Sequence, residues 1–173
     1  MTSLLCYIFD RLQQIPDMIW NGTCLDTIRR TRIKKRIVHT ASEKLYIPLE
    51  NIRLTHQVNF RTAVEKLNKR VKQMKTYFQK YSHLNQLFLS ETTIHQQMPS
   101  RDAIDVVQDP SNKSIFYCLN GHGRITALRN SNPNLLLSVE VSVFGKHSVM
   151  FSKDVLELKK MFEINETKMK NKT

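Results

Sequence analysis

Apolar residues mark one long helix near the middle of the chain. Val64, Leu67, Val71, Met74, Phe78 and Tyr81 step by three and four, which predicts an amphipathic helix over 62–81. Its other faces carry Lys66, Lys69, Arg70, Lys72, Lys75 and Lys80, a cationic surface that suits either plain solvation or phosphate groups. Leu4, Leu5, Ile8, Leu12 and Ile15 repeat the helical spacing up to Pro16, and a second short segment, 18–28, carries the only Trp, Trp20. Residues 45–49 read as a short edge strand, because Pro48 is tolerated there. The stretch 52–61 reads as loop, and 82–101 as a short helical continuation or a buried loop.

The second half of the chain turns to strands. Residues 104–108 and 115–119 flank Asp109-Pro110-Ser111-Asn112-Lys113, whose Pro and Asn are turn formers, so the two runs predict a hairpin. Leu135, Leu137, Val139, Val141 and Val143 alternate with Ser138, Glu140 and Ser142, the pattern of a strand with one buried face. A last helix starts at Ser152-Lys153-Asp154 and runs to about Phe162, with a basic tail fraying after Asn165. The fold class is therefore α+β, a small mixed sheet packed with helices. The expected organisation is a basic helical extension over 1–43, a main domain over 44–150, and a C-terminal helix and tail over 151–173.

Composition narrows the class. The 173 residues fit one ordinary domain with short extensions, and 40% apolar with 24% charged residues excludes wholesale disorder. Cys6, Cys24 and Cys118 show no CxxC spacing, so they read as reduced thiols rather than a zinc site or a bridge. The apolar run Leu4–Phe9 is short for a signal peptide and lacks a basic start, and the four sequons matter only in a secreted chain. No window reaches the roughly 18 apolar residues of a membrane span. An intracellular protein, cytoplasmic or nuclear, is the expectation.

The net charge of +12 suits an anionic partner and also serves solubility. Six basic residues in eight at Arg29–Arg36 read as a nuclear address, a phosphate-contacting arm or a solvated helix end. Together, 29–36 and 66–80 are the segments that DNA or RNA would contact.

The candidate chemistry lies in Phe116-Tyr117-Cys118-Leu119-Asn120-Gly121-His122-Gly123-Arg124-Ile125-Thr126-Ala127-Leu128, a strand, a tight turn and a helix stopped before Pro133. Two of the four glycines flank one histidine here, and glycine permits a positive φ or close approach to a ligand. The amides opening the helix favour an anion, and Arg124 adds a guanidinium that pairs bidentately with phosphate. His122 has the chemistry to contact phosphate or to act as acid or base. The alternative is a plain strand-to-helix turn whose His122 and Arg124 pack or bond locally.

Gly121-His122-Gly123-Arg124, followed by Ala127-Leu128, resembles the Gly-x-x-Arg signature of the ParB/sulfiredoxin superfamily. Residues 46–52 resemble the opening strand of that superfamily, Arg61 falls where ParB-like domains place an arginine, and Ile104-Asp105-Val106-Val107 resembles the strand before the signature. The resemblance covers about 45–145. It implies a nucleotide-phosphate site at Gly121, His122, Gly123 and Arg124, with Asp105 and Arg61 beside it. The ligand implied is ATP or CTP with Mg²⁺, which Asp105 or Glu50 would hold through water. NTP hydrolysis or phosphoryl transfer would use His122, Arg124 and Glu50. Sulfinic acid reduction is improbable, because His122 stands where those enzymes carry cysteine and Cys118 comes three residues too early. DNA partition is doubtful, because too few residues follow for a helix-turn-helix domain. A non-catalytic domain that binds a protein partner is a third reading, with the Trp20 segment as the contact.

Overall fold

The computed structural model describes residues 23–38, 42–55, 61–100, 102–131, 135–144 and 152–170. The segments expected at 4–15 and 18–22, with Trp20, lie outside them. The chain divides into one compact unit over 1–36 and a second over 37–173. Helix α1 (Thr23–Val38) carries the whole basic run 29–36, so those cations lie on a helix.

The second unit is built on a six-stranded mixed sheet. Its longest strand, β6 (Leu136–Phe144), pairs antiparallel with β1 (Ser42–Pro48) along one edge, with Ser42 opposite Phe144. The other edge of β6 is shared. Strand β3 (Gln86–Leu89) runs parallel to its first half, and β4 (Asp105–Gln108) runs parallel to its second half. Strand β5 (Phe116–Asn120) returns antiparallel to β4, and β2 (Ile52–Leu54) lies parallel beyond it, with Ile52 opposite Phe116.

Alternation along each strand sorts the two faces. Leu137, Val139, Val141 and Val143 join Ile52, Val106, Phe116 and Cys118 in the core. They meet Met74 and Phe78 of α2 (Arg61–Gln79), Ile94 of α3 (Glu91–Gln97), and Ile125, Ala127 and Leu128 of α4 (His122–Ser131). Helices α2 and α4 pack against each other over this face. On the opposite face, α5 (Ser152–Lys170) buries Val155, Leu158 and Met161, and Phe162 meets Tyr117 edge-on with centroids 6.5 Å apart.

Three readings need correction. Residues 52–54 form a strand, because Ile52 fills a core position next to Phe116 and a three-residue strand is too short to show alternation. Residues 82–101 hold β3 and α3. Ser90 caps α3 by accepting the Thr93 amide at 3.2 Å, a Ser-x-x-Thr start with little apolar periodicity to announce it. The last helix continues to Lys170 instead of ending near Phe162 and belongs to the second unit.

The β4–β5 connection is held by Asp109. Its Oδ1 accepts from the Ser111 amide at 2.8 Å and the Ser111 hydroxyl at 2.6 Å, and Tyr117 donates its hydroxyl to Oδ2 at 3.3 Å. Burial, then the charge and hydrogen bond of Asp109, then Glu163, push the Tyr117 phenol up to about 12 against the opposing charge of Arg53. A raised folded-state value means that this contribution to stability is complete below the ordinary value of 10.0 and is lost as pH rises through about 12. Thermal melts across that interval are expected to fall more steeply for the wild type than for Tyr117→Phe.

Candidate anion-binding site

The Gly121–Arg124 turn sits at the end of the sheet where β5 leaves it. Gly121 has φ +95°, a left-handed conformation that side chains resist. A Cβ there would stand 3.0 Å from Ile104 Cγ1 and 3.3 Å from Arg124 Nη2. The Gly121 carbonyl then accepts the amides of Arg124 at 2.9 Å and Ile125 at 3.0 Å, which opens α4. The left-handed residue is therefore Gly121 alone among the described glycines, and Gly123 is helical.

Arg124 does not project into solvent. It is 2% exposed, and its Nη2 donates to the Ala103 carbonyl at 2.8 Å. Asn120 Nδ2 donates to the same carbonyl at 3.1 Å. Nη1 donates to Nε2 of His95 on α3 at 3.3 Å. Glu91 Oε1 lies 3.8 Å from that imidazole nitrogen, and Glu91 is in turn paired with Lys44. Among the described residues no carboxylate lies within ion-pair distance of Arg124. Burial first, and then the charge of Arg70, hold its guanidinium below the usual arginine value; Cys118, Asp102 and Asp105 oppose that shift without reversing it.

Arg70 is the second cation of this region. It stands on the flank of α2, half-buried, and burial lowers its value too. Among the described residues it has neither a hydrogen-bond acceptor nor an ion-pair partner. Arg129, at the other end of α4, is a useful contrast. Its Nη2 donates to the Leu49 carbonyl at 3.1 Å and also to the Ile52 carbonyl, so it fastens the start of β2 to α4.

His122 faces inward. It is 6% exposed; its Nε2 is hydrogen-bonded to Thr55 Oγ1 at 3.0 Å, and Cys118 Sγ lies 3.6 Å from Nδ1. Thr55 donates its own hydroxyl to the Cys118 carbonyl at 3.4 Å. Both ring nitrogens are thus engaged inside the protein. Thr55→Ala removes the buried Thr55–His122 hydrogen bond and is expected to cost about 1–3 kcal/mol in chemical denaturation. Thr55→Ser, which keeps the hydroxyl, is expected to recover most of that.

The other expected site residues divide. Asp105 opens β4 opposite Asn120 and so lies beside the turn. Glu50 does not. It precedes β2, exposed, at the end of the sheet where β5 begins, and five residues of strand rise separate that end from Gly121, about 16 Å. The catalytic part expected for Glu50 is withdrawn on that distance. Arg61 opens α2, and its side chain lies outside the described part of the structure. Among the described residues no group of three or more His, Cys, Asp or Glu is gathered as a metal site, and no helix is long and apolar enough to cross a membrane.

Three contributors were missed in the sequence. Thr55 follows β2 and reaches His122 only because β2 runs parallel to β5. His95 arrives on a helix that the periodicity did not announce. Arg70 looked like one more cation on a basic helix; its position next to the core stripe of Leu67, Val71 and Met74 was the available signal. Comparison with known protein families, with characterised proteins and with solved structures gave no match.

Proposed function

We propose that the protein binds the phosphate of a nucleotide beside the Gly121–Arg124 turn, between Arg124 of α4 and Arg70 of α2. One observation carries this reading. The buried Arg124 guanidinium feels the like charge of the half-buried Arg70, and among the described residues neither has a carboxylate within ion-pair distance. Like charges in a partly desolvated place repel, and an anion between them turns the repulsion into two charge-assisted contacts. The first turn of α4 adds partial positive charge on the same side. The resemblance of Gly121–Arg124 to the ParB/sulfiredoxin signature supports the same ligand class. ATP or CTP with Mg²⁺ is the ligand to test, with Asp105 as the carboxylate placed to approach the metal through water. Binding is the whole of the proposal: His122 is buried, and Glu50 stands at the far end of the sheet.

Calorimetric titration with ATP and CTP in the presence of Mg²⁺ tests it. Micromolar binding is expected, and Arg70→Gln is expected to weaken it at least tenfold. Because Arg70 makes no hydrogen bond to the rest of the described protein, that variant is expected to melt like the wild type. No heat with either nucleotide, on protein shown to be folded, overturns the reading.

A further inference from the structure

Leu45, Ile47, Leu87, Leu137 and Val139 turn to the core, so alternation sends Tyr46, Phe88, Leu136, Ser138 and Glu140 to the other face of the sheet. Helix α5 covers that face at β5. At β1, β3 and β6, by contrast, Tyr46, Phe88 and Leu136 stand 46%, 57% and 62% exposed. Tyr46 lies opposite Glu140 and Phe88 opposite Ser138. The two rings meet across β6, with centroids 5.7 Å apart and planes at 80°. Ser138 belongs to this open row and is nevertheless only 7% exposed. In an edge-to-face pair, the ring that offers its edge keeps both faces clear of its partner.

The same row is acidic. Glu140 Oε2 accepts the Glu91 amide at 2.8 Å. Glu91 holds Lys44 in an ion pair, and Lys44 also feels the charge of Glu140. Two carboxylates thus stand against one ammonium, and among the described residues no cation lies within ion-pair distance of Glu140. This occurs on a chain whose net charge is +12. The π face of a ring is itself electron-rich, so rings and carboxylate attract the same ligand, a cation.

The surroundings narrow that cation. Leu136 stands two residues before Ser138 and offers contact to an aliphatic stem. From Leu136 to Glu140 is about 13 Å of strand, long enough for an extended side chain and its neighbours. A guanidinium stacks on an aromatic face and presents a fork to a carboxylate, which an ammonium does not. An open sheet face suits an extended polypeptide better than a small molecule, which needs a concave site. Glu91 and Glu140 repel the phosphates of a nucleic acid.

We propose that the β1–β6–β3 face binds an arginine side chain of a partner peptide, with the guanidinium against Tyr46 and Phe88 and beside Glu140.

Fluorescence anisotropy with the full chain tests it. The probes are a labelled peptide in which arginine alternates with serine, and its counterpart in which neutral citrulline replaces every arginine. The chain as a whole repels a cationic peptide, so binding reports local contacts. The arginine peptide is expected to bind at least tenfold more tightly than the citrulline peptide, because its charge meets both the rings and Glu140. Glu140→Gln keeps an acceptor for the Glu91 amide, so it is expected to melt like the wild type and to lose most of that preference. Phe88→Leu keeps the apolar contact without the π face and is expected to weaken the arginine peptide about threefold. Lys44→Gln removes the competing ammonium and is expected to tighten it about threefold, a gain that damage to the fold would not produce. Equal affinity for the two peptides overturns the proposal. So does a preference that both Glu140→Gln and Phe88→Leu leave intact, or no binding to wild-type protein shown to be folded. A concentration-dependent dimer in sedimentation that Phe88→Leu breaks, without any preference for arginine, gives the face to a second copy and overturns it as well.

Discussion

Gly121→Ala is expected to lower the melting temperature by roughly 5–15 °C. The left-handed backbone costs a residue with a Cβ about 1–2 kcal/mol. The new methyl would also press on Ile104, 3.0 Å from its Cγ1 and 3.3 Å from its main chain. Turning a side chain cannot relieve the clash with the main chain, so an overpacking cost of about 1–3 kcal/mol adds to the first. For a chain of this size each kcal/mol moves the melting point by about 2–4 °C. The same methyl would stand 3.3 Å from Arg124 Nη2, so ligand affinity is expected to fall with stability. A melting point within a degree or two of wild type would show that the turn relaxes in a way this geometry does not allow.

Arg124→Met separates binding from folding. The variant keeps much of the side-chain volume and removes the charge. The Ala103 carbonyl keeps the Asn120 amide as a donor at 3.1 Å, so no buried acceptor is orphaned there. Arg124 has no ion-pair partner among the described residues, so the cost of burying its charge disappears with it. The melting point is expected to stay near the wild-type value or rise. Nucleotide affinity is expected to fall at least a hundredfold, because two hydrogen bonds to a charged group are worth about 1.5–3 kcal/mol each. Arg124→Lys is expected to be intermediate, since an ammonium cannot reproduce the planar fork. A large loss of stability in Arg124→Met would assign the guanidinium to holding the 103–104 backbone and remove it from binding.

The long elements were legible because their periods are long. Helix α2 announced itself through five apolar positions, Val64, Leu67, Val71, Met74 and Phe78, and β6 through four alternating ones, Leu137, Val139, Val141 and Val143. The β4–β5 hairpin was legible from Asp109-Pro110 and Asn112, and Asp109 and Asn112 do supply the acceptors that close that turn. The strand, turn and helix around Gly121 were legible from glycine placement. Short elements were not: β2 is three residues long, and α3 buries Ile94 alone of its own residues. The site depended on those short elements. Because β2 is parallel to β5, Thr55 meets His122 and Glu50 is carried to the opposite end. Because α3 packs beside the turn, His95 takes an Arg124 hydrogen bond. Spacing along the chain placed the turn correctly in its strand-to-helix context and could not say that its histidine and arginine point inward.

The central claim is that Arg124 and Arg70 together receive a phosphate. Side-chain NMR of the arginine Nε–H groups during ATP titration tests it most directly. The account predicts that the Arg124 and Arg70 resonances shift together with the added ligand and become slower to exchange with water, while Arg129, bound to the Leu49 and Ile52 carbonyls, stays in place. Saturating ATP that leaves the Arg124 and Arg70 resonances unmoved would contradict it.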